Sequence, residues 1–315
     1  MILNILGFTI AAWSVIGNDV IQTLGTFLQS NKHYRWWQLF LYIGGILTVV
    51  LLAGWFMNQG DVSFGRLDKI DNSIPLTIWH LVPPIVLLLI TRYGIPVSTT
   101  FLILSIFSSH VVLESMLLKS FLGYILAFIS AYLVYSLVIH RYEKPNDAKI
   151  EVKKHRQLWT VLQWLSTAFL WSLWLVQDFA NLYVFLPKQL TAVQMLLSLA
   201  VLLGILALIL RNQGGSIQKV VSTKSNSSNI RSATIIDFIY GLVLFVFTMV
   251  NDVPMSTTWA FIGVLAGREI ALRQKVFPGT MKKGLRLIYT DFAKVFIGIT
   301  ISIGCILALK YSGLL

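Results

Sequence analysis

Gly94-Ile95-Pro96-Val97-Ser98-Thr99-Thr100-Phe101 and Asp252-Val253-Pro254-Met255-Ser256-Thr257-Thr258-Trp259 are the two stretches whose reading decides the fold. Each is a Pro-x-Ser-Thr-Thr-aromatic string set between long apolar runs. Each also follows, at nearly the same distance, an aspartate in an apolar segment. Asp19, in Gly17-Asn18-Asp19-Val20, precedes Ser98 by 79 positions. Asp178, in Gln177-Asp178-Phe179-Ala180-Asn181, precedes Ser256 by 78. The same pair of features at the same spacing in two halves of a chain marks an internal repeat.

The surrounding composition says what kind of solvent the repeat faces. The chain of 315 residues is 56% hydrophobic and 12% charged, with a mean hydropathy of +0.75. Soluble domains carry about 25% charged residues. Apolar runs of about 18 residues or more are long enough to cross a bilayer. Ten apolar segments are predicted, near 1–29, 37–57, 74–91, 97–113, 120–140, 158–176, 191–210, 234–250, 257–272 and 288–310. The N-terminal one reads as a span, since it lacks a basic n-region and a small-residue cleavage site.

The net charge of +12 would suggest nucleic acid in a soluble protein. Here the basic residues sort by loop instead. Alternate loops on one side hold nineteen, with the heaviest runs at Arg141–Arg156, Arg211–Arg231 and Arg268–Arg286. The other side holds five: Arg66, Lys69, Lys119, Lys188 and Lys310. Positive loops stay cytoplasmic, so both termini are expected outside. The run Asn212–Ser232, rich in Ser, Asn, Gly and Lys, reads as a cytoplasmic loop. An odd five spans per half makes the second half start from the opposite side. The expectation is an all-α integral membrane protein of the plasma (inner) membrane. It has about ten membrane segments in two inverted-topology repeats of five, with broken or re-entrant helices at the Ser-Thr-Thr strings. The first repeat covers 1–141, a charged cytoplasmic linker 142–157, and the second repeat 158–315.

The strings carry a chemical implication. Proline disfavours helix at the residue before it and suits a first turn, and Ser or Thr then caps the helix that follows. A helix start offers N–H groups and the positive end of the dipole to an anion, and the hydroxyls add donors. Ser98, Thr99 and Thr100 arriving from one side, with Ser256, Thr257 and Thr258 from the other, would build one anion site near the midplane. Plain helix capping is the competing reading. Asp19 and Asp178 are costly inside a span and call for a partner or a function. With Asn18 and Asn181 they would make a hard-oxygen cation site for sodium, or hold a proton. Asp237, Asp252, Arg92 and the Arg268-Glu269 pair lie near predicted span ends, where a charge is cheap.

Other chemistries find little support. Cys305 stands alone in an apolar run, the five histidines lack metal-ligand spacing, and there is no phosphate-binding glycine loop or nucleophile elbow. No enzyme activity, resident cofactor or structural metal is expected.

With these residues in view, the chain resembles the inorganic phosphate transporter (PiT) family. Members carry a Gly-x-Asn-Asp-Val-x-Asn signature and a Gly-x-Pro-x-Ser-Thr-Thr string in each of two inverted halves. The matching positions are Gly17, Asn18, Asp19, Val20, Gly25 and Thr26, then Gly94, Pro96 and Ser98–Thr100. The second half keeps Asp178, Ala180, Asn181, Pro254 and Ser256–Thr258. Gln22 and Gln177 stand where the family has asparagine, and Phe101 and Trp259 where it often has histidine. The resemblance implies sodium- or proton-coupled uptake of phosphate by an elevator-like movement. Asn18, Asp19, Asp178 and Asn181 would serve the cation, and the six Ser-Thr-Thr residues the anion. Expected partners are phosphate or a similar oxyanion, membrane lipid and a second copy in a homodimer. The alternatives are a permease for sulfate or another oxyanion, and an anion-binding or accessory membrane protein of this fold without transport.

Overall fold

The structure is a computed structural model, and it describes residues 2–70, 75–92, 97–137, 155–212, 230–250, 252–277 and 279–311. Helix α1 (Ile2–Val15) runs through a π-helical turn (Ile16–Val20) into α2 (Ile21–Ser30). Then come α3 (Trp36–Met57), a 3₁₀ turn (Ile78–Leu81), α4 (Val82–Arg92), the short α5 (Thr99–Leu104) and α6 (His110–Leu137). Helices α7 (Arg156–Tyr183), α8 (Ala192–Arg211), α9 (Ile230–Val250), α10 (Thr257–Lys275) and α11 (Met281–Tyr311) follow among the described residues. No strand occurs among the described residues.

Among them, six helical stretches are long and apolar enough to cross a membrane: Ile2–Val20, Trp36–Met57, His110–Leu137, Arg156–Tyr183, Ala192–Arg211 and Ile230–Val250. Their outer faces stay apolar. Leu41, Val49 and Phe56 on α3, and Val193, Leu196 and Leu197 on α8, are all exposed. Water would penalise such a surface and acyl chains do not. The chain is a multi-pass membrane protein.

Helix α10 lies closely on α6 because two glycines permit it. A Cβ on Gly263 would come within 2.5 Å of the Tyr124 carbonyl oxygen, and one on Gly267 within 2.1 Å of that of Phe128. Small residues four apart are the means by which membrane helices bring backbones together. This contact fixes α10, and with it the second Ser-Thr-Thr string, against the helix that follows the first.

Three segment boundaries differ from the sequence reading. Segments expected at 97–113 and 120–140 are instead the short α5, a turn, and one 28-residue helix α6. At 1.5 Å per residue such a helix is about 42 Å long, against a hydrocarbon core of about 30 Å. It therefore absorbs Glu114 and Lys119, polar residues that look like a loop to a hydropathy window. Helix α7 continues past 176 to Tyr183, so Asp178 and Asn181 lie within it. Helix α11 starts at Met281, so Lys282, Lys283 and Arg286 are helical. Linker residues 142–154, the loop 213–229 and string residues 94–96 lie outside the described residues.

Candidate functional site

The two Ser-Thr-Thr strings meet. Ser98 is the N-cap of α5 and its Oγ accepts the Phe101 N–H at 3.3 Å; Ser256 is the N-cap of α10 and accepts the Trp259 N–H, also at 3.3 Å. Each string then reaches into the other. The Thr100 hydroxyl donates to the Met255 carbonyl at 3.2 Å, and the Thr258 hydroxyl donates to the Val97 carbonyl at 3.3 Å. Position for position these are the same bond made twice. The next residues, Phe101 and Trp259, face each other with ring centroids 5.6 Å apart. The Ser120 hydroxyl accepts the Ser256 N–H at 2.8 Å, and the Tyr240 hydroxyl donates to the Thr257 carbonyl at 2.9 Å, which pins the start of α10 from α6 and α9.

Both aspartates stand against this junction. Asp19 sits on the π-turn, whose extra residue per turn swings the Asn18-Asp19 pair inward; π-turns recur at functional sites. Asp19 Oδ1 accepts from Asn18 Nδ2 at 2.7 Å, and Oδ2 accepts from the Thr99 hydroxyl at 2.6 Å. Asn18 Nδ2 also donates to the Val97 carbonyl at 3.0 Å. On α7, Asp178 Oδ1 accepts from Asn181 Nδ2 at 2.6 Å, and the same amide lies 3.3 and 3.4 Å from the hydroxyls of Thr99 and Thr100. Thr99 and Asn181 thus link the two carboxylates, and Thr257 stands beside Asp178. All ten residues singled out in the sequence fall in this one cluster, each 0–6% exposed.

Four buried oxygens around it have no hydrogen-bond partner: Asp178 Oδ2, Asn181 Oδ1, Gln22 Oε1 and Gln177 Oε1. Among the described residues neither aspartate is in an ion pair. Buried polar atoms are nearly always satisfied, so four orphan acceptors beside two carboxylates form a place of strong negative potential. Carboxylate, amide and hydroxyl oxygens are the donors that hard cations prefer. Cys and His are not among them.

This arrangement can be set beside known proteins. The fold is similar to that of a solved structure described as "The sodium-dependent phosphate transporter", with a TM-score of 0.59, 16% sequence identity and 98% of each chain covered. No family model and no curated protein matches the chain. At this identity the likeness is one of fold.

Several charged residues that the sequence reading placed in loops or at span ends are built into the interior, among them Arg66, Lys119, Asp237, Arg231 and Arg268. Arg66, in the connection after α3, is 2% exposed; its Nε donates to the Val176 carbonyl at 2.9 Å, one turn or less from Asp178. Burial pushes its guanidinium down to about 10, with Asp252 and then Asp178 pulling the other way, so it remains a cation at neutral pH. Lys119, on α6, is 5% exposed and donates to the Val253 carbonyl at 2.6 Å, three residues before Ser256. Asp237, on α9, is 1% exposed and accepts from the hydroxyls of Thr26 and Thr167, the latter at 2.8 Å. Its only signal in the sequence is an acid within an apolar run.

Proposed function

We propose that this chain is a secondary active transporter that carries a small inorganic oxyanion, phosphate best, together with a coupling cation. The observation that carries the reading is the junction itself. Two buried carboxylates with unsatisfied oxygen neighbours lie within hydrogen-bond reach of two hydroxyl-rich helix starts. A site of that kind suits a cation and an anion bound side by side. Two carboxylates this deep are poorly tolerated as bare charges. A sodium ion held by Asp19, Asp178, Asn18 and Asn181, or a proton shared between them, removes that cost. The local charge then turns in favour of an anion held by Ser98, Thr99, Thr100, Ser256, Thr257 and Thr258. Each ligand thereby raises the affinity for the other, which is the thermodynamic requirement for coupling.

The reciprocal Thr100–Met255 and Thr258–Val97 bonds support reading the halves as inverted repeats, since equivalent positions make equivalent contacts. Fold similarity to a sodium-dependent phosphate transporter favours sodium and phosphate over a proton and sulfate. An elevator-like displacement of the site against a scaffold, loops rich in Lys and Arg on the cytoplasmic side, plasma-membrane residence and a homodimer complete the proposal.

The test is uptake of labelled phosphate by the purified chain in liposomes under an imposed sodium or proton gradient. Gradient-driven accumulation is the expected result. Absence of gradient-driven uptake of both phosphate and sulfate would overturn the reading, and phosphate binding without flux would point to an accessory role.

A further inference from the structure

Along the first half of α11, one face of the helix lines an open groove of about 670 Å³. The lining runs from Leu285 to Ile297 at spacings of three and four, and includes Tyr289, Phe292 and Phe296 with the half-buried Ala293 among them. Every lining side chain is apolar or aromatic. The three rings are 49–76% exposed. At a rise of 1.5 Å per residue the groove is about 18 Å long, close to one leaflet's share of a hydrocarbon core about 30 Å thick. The Tyr124 ring on α6 meets that of Phe292 edge to face, with centroids 5.7 Å apart, and Tyr124 stacks in turn on Phe128. The aromatic wall therefore continues onto α6.

The groove ends among cations. Lys282 precedes Leu285 by three positions and Arg286 precedes Tyr289 by three, so both continue the same helical face toward the start of α11. Both are exposed, as are Lys283 and, at the end of α10, Lys275. The two helices lie against each other here, since a Cβ on Gly284 would come within 2.9 Å of Arg273 Cγ. Glu269, the one acid between positions 269 and 286, is already paired with Arg273 at 2.7 Å. An excess of positive charge thus stands at the head of an apolar groove, on the side proposed to be cytoplasmic.

We propose that this groove is a binding site for one anionic phospholipid of the cytoplasmic leaflet, with an acyl chain along the Leu285–Ile297 face and the phosphate at Lys282 and Arg286. The groove and its cations match the two ends of such a lipid. Guanidinium and ammonium groups suit phosphate oxygens, and basic residues beside a membrane helix draw anionic headgroups. A second copy of the chain fits this face less well. Two copies in one bilayer, related by a two-fold axis along the membrane normal, would set Lys282 and Arg286 against their own counterparts, like charge against like. The site also has leverage on the rest of the molecule. Helix α11 packs against α5 and α10, the two helices that the Ser-Thr-Thr strings begin, so a lipid seated on α11 braces both.

The test measures lipid binding by native mass spectrometry, and thermal unfolding, for the purified chain in neutral detergent. Dioleoylphosphatidylglycerol is the anionic probe and dioleoylphosphatidylcholine the zwitterionic one. Phosphatidylglycerol is expected to saturate at a single lipid per chain and to raise the unfolding temperature more than phosphatidylcholine does. K282Q/R286Q should weaken its binding about thirtyfold, roughly fivefold for each basic residue at a membrane surface. R156Q/R211Q removes two exposed cations from the ends of α7 and α8 and should leave binding unchanged. A293F keeps every cation and fills the groove, and should weaken binding several-fold. If A293F does not fold, F296A, which takes a ring out of the groove, decides by the same measure. Equal binding of the two lipids, equal losses in the two charge variants, or wild-type binding in the groove variant would overturn the site, leaving only a diffuse attraction of anionic lipid. A shift from dimer to monomer in A293F with lipid binding unchanged would also overturn it and assign the face to a second copy. None of these measurements involves uptake, so loss of the site leaves the transport reading intact.

Discussion

Asp19 and Asp178 occupy matching places in the two halves, yet they are held differently. Both oxygens of Asp19 accept hydrogen bonds, one from Asn18 and one from Thr99. Asp178 accepts through Oδ1 from Asn181, and its Oδ2 has no partner. Asp19 sits on a π-turn and Asp178 in a regular α-helix. Arg66 lies within electrostatic reach of Asp178. A repeated motif has therefore produced two unequal carboxylates. One is fully engaged by its own chain and sets the geometry of the junction. The other has an oxygen that accepts no hydrogen bond and is the better candidate to hold the coupling cation proposed above.

The largest expected effect follows from the free oxygen. In D178N the side-chain oxygen can still accept from Asn181, and the amide nitrogen takes the place of Oδ2, which accepts no hydrogen bond. Fold stability should hold or rise, because a buried charge has gone and no hydrogen bond is lost. Coupled uptake should fall by roughly a hundredfold or more, the scale of one lost ionic ligand worth about 3 kcal/mol. Thermal unfolding in detergent and liposome uptake measured side by side check both halves of this expectation. A D178N protein that is as active as wild type would remove Asp178 from the cation site.

D19N should behave the other way round. Asn18 and Thr99 both donate to the carboxylate, so an amide N–H either opposes the Asn18 donor or makes the Thr99 hydroxyl accept and leaves its proton without an acceptor. The cost of one buried unsatisfied donor is about 1–3 kcal/mol. A lower unfolding temperature is expected, with a loss of uptake smaller than that of D178N. Equal losses of stability in the two variants would break the comparison, since saturation of Asp19 is what separates them.

The inequality was not legible in the sequence, although the duplicated strings were. Pro-x-Ser-Thr-Thr is a small vocabulary that stands out against apolar runs, and its spacing from an aspartate needs no structure to notice. Hydropathy likewise located most helices. It failed at α5 and α6, where a helix longer than the hydrocarbon core carries Glu114 beyond it and Lys119 into the packed interior. Hydropathy counts a charge without knowing which way it points. For the same reason Arg66 looked like a loop cation and Asp237 like a cheap acid at a span end. Nor does a motif reveal how many hydrogen bonds its aspartate accepts. That depends on a π-turn, on which Thr of a distant string arrives, and on the rotation of one helix against another.

The smallest expected effect tests how far the two halves are alike. Thr100 and Thr258 make the same bond to opposite strings, at 3.2 and 3.3 Å. T100V and T258V should each lower stability by about 1 kcal/mol, the usual net worth of one such bond. Because the two bonds close one junction, the double variant should lose less than the sum of the singles. Additive losses would mean that the strings are held independently. Their effects on uptake should differ, however. Thr100 Oγ1 also lies 3.4 Å from Asn181 Nδ2, the donor to Asp178, and no equivalent contact links Thr258 to Asn18 among the described residues. T100V should therefore weaken the dependence of uptake on the coupling cation more than T258V does. If T258V has the larger effect on cation dependence, the cation is bound nearer Asp19, and the assignment of the two carboxylates must be exchanged.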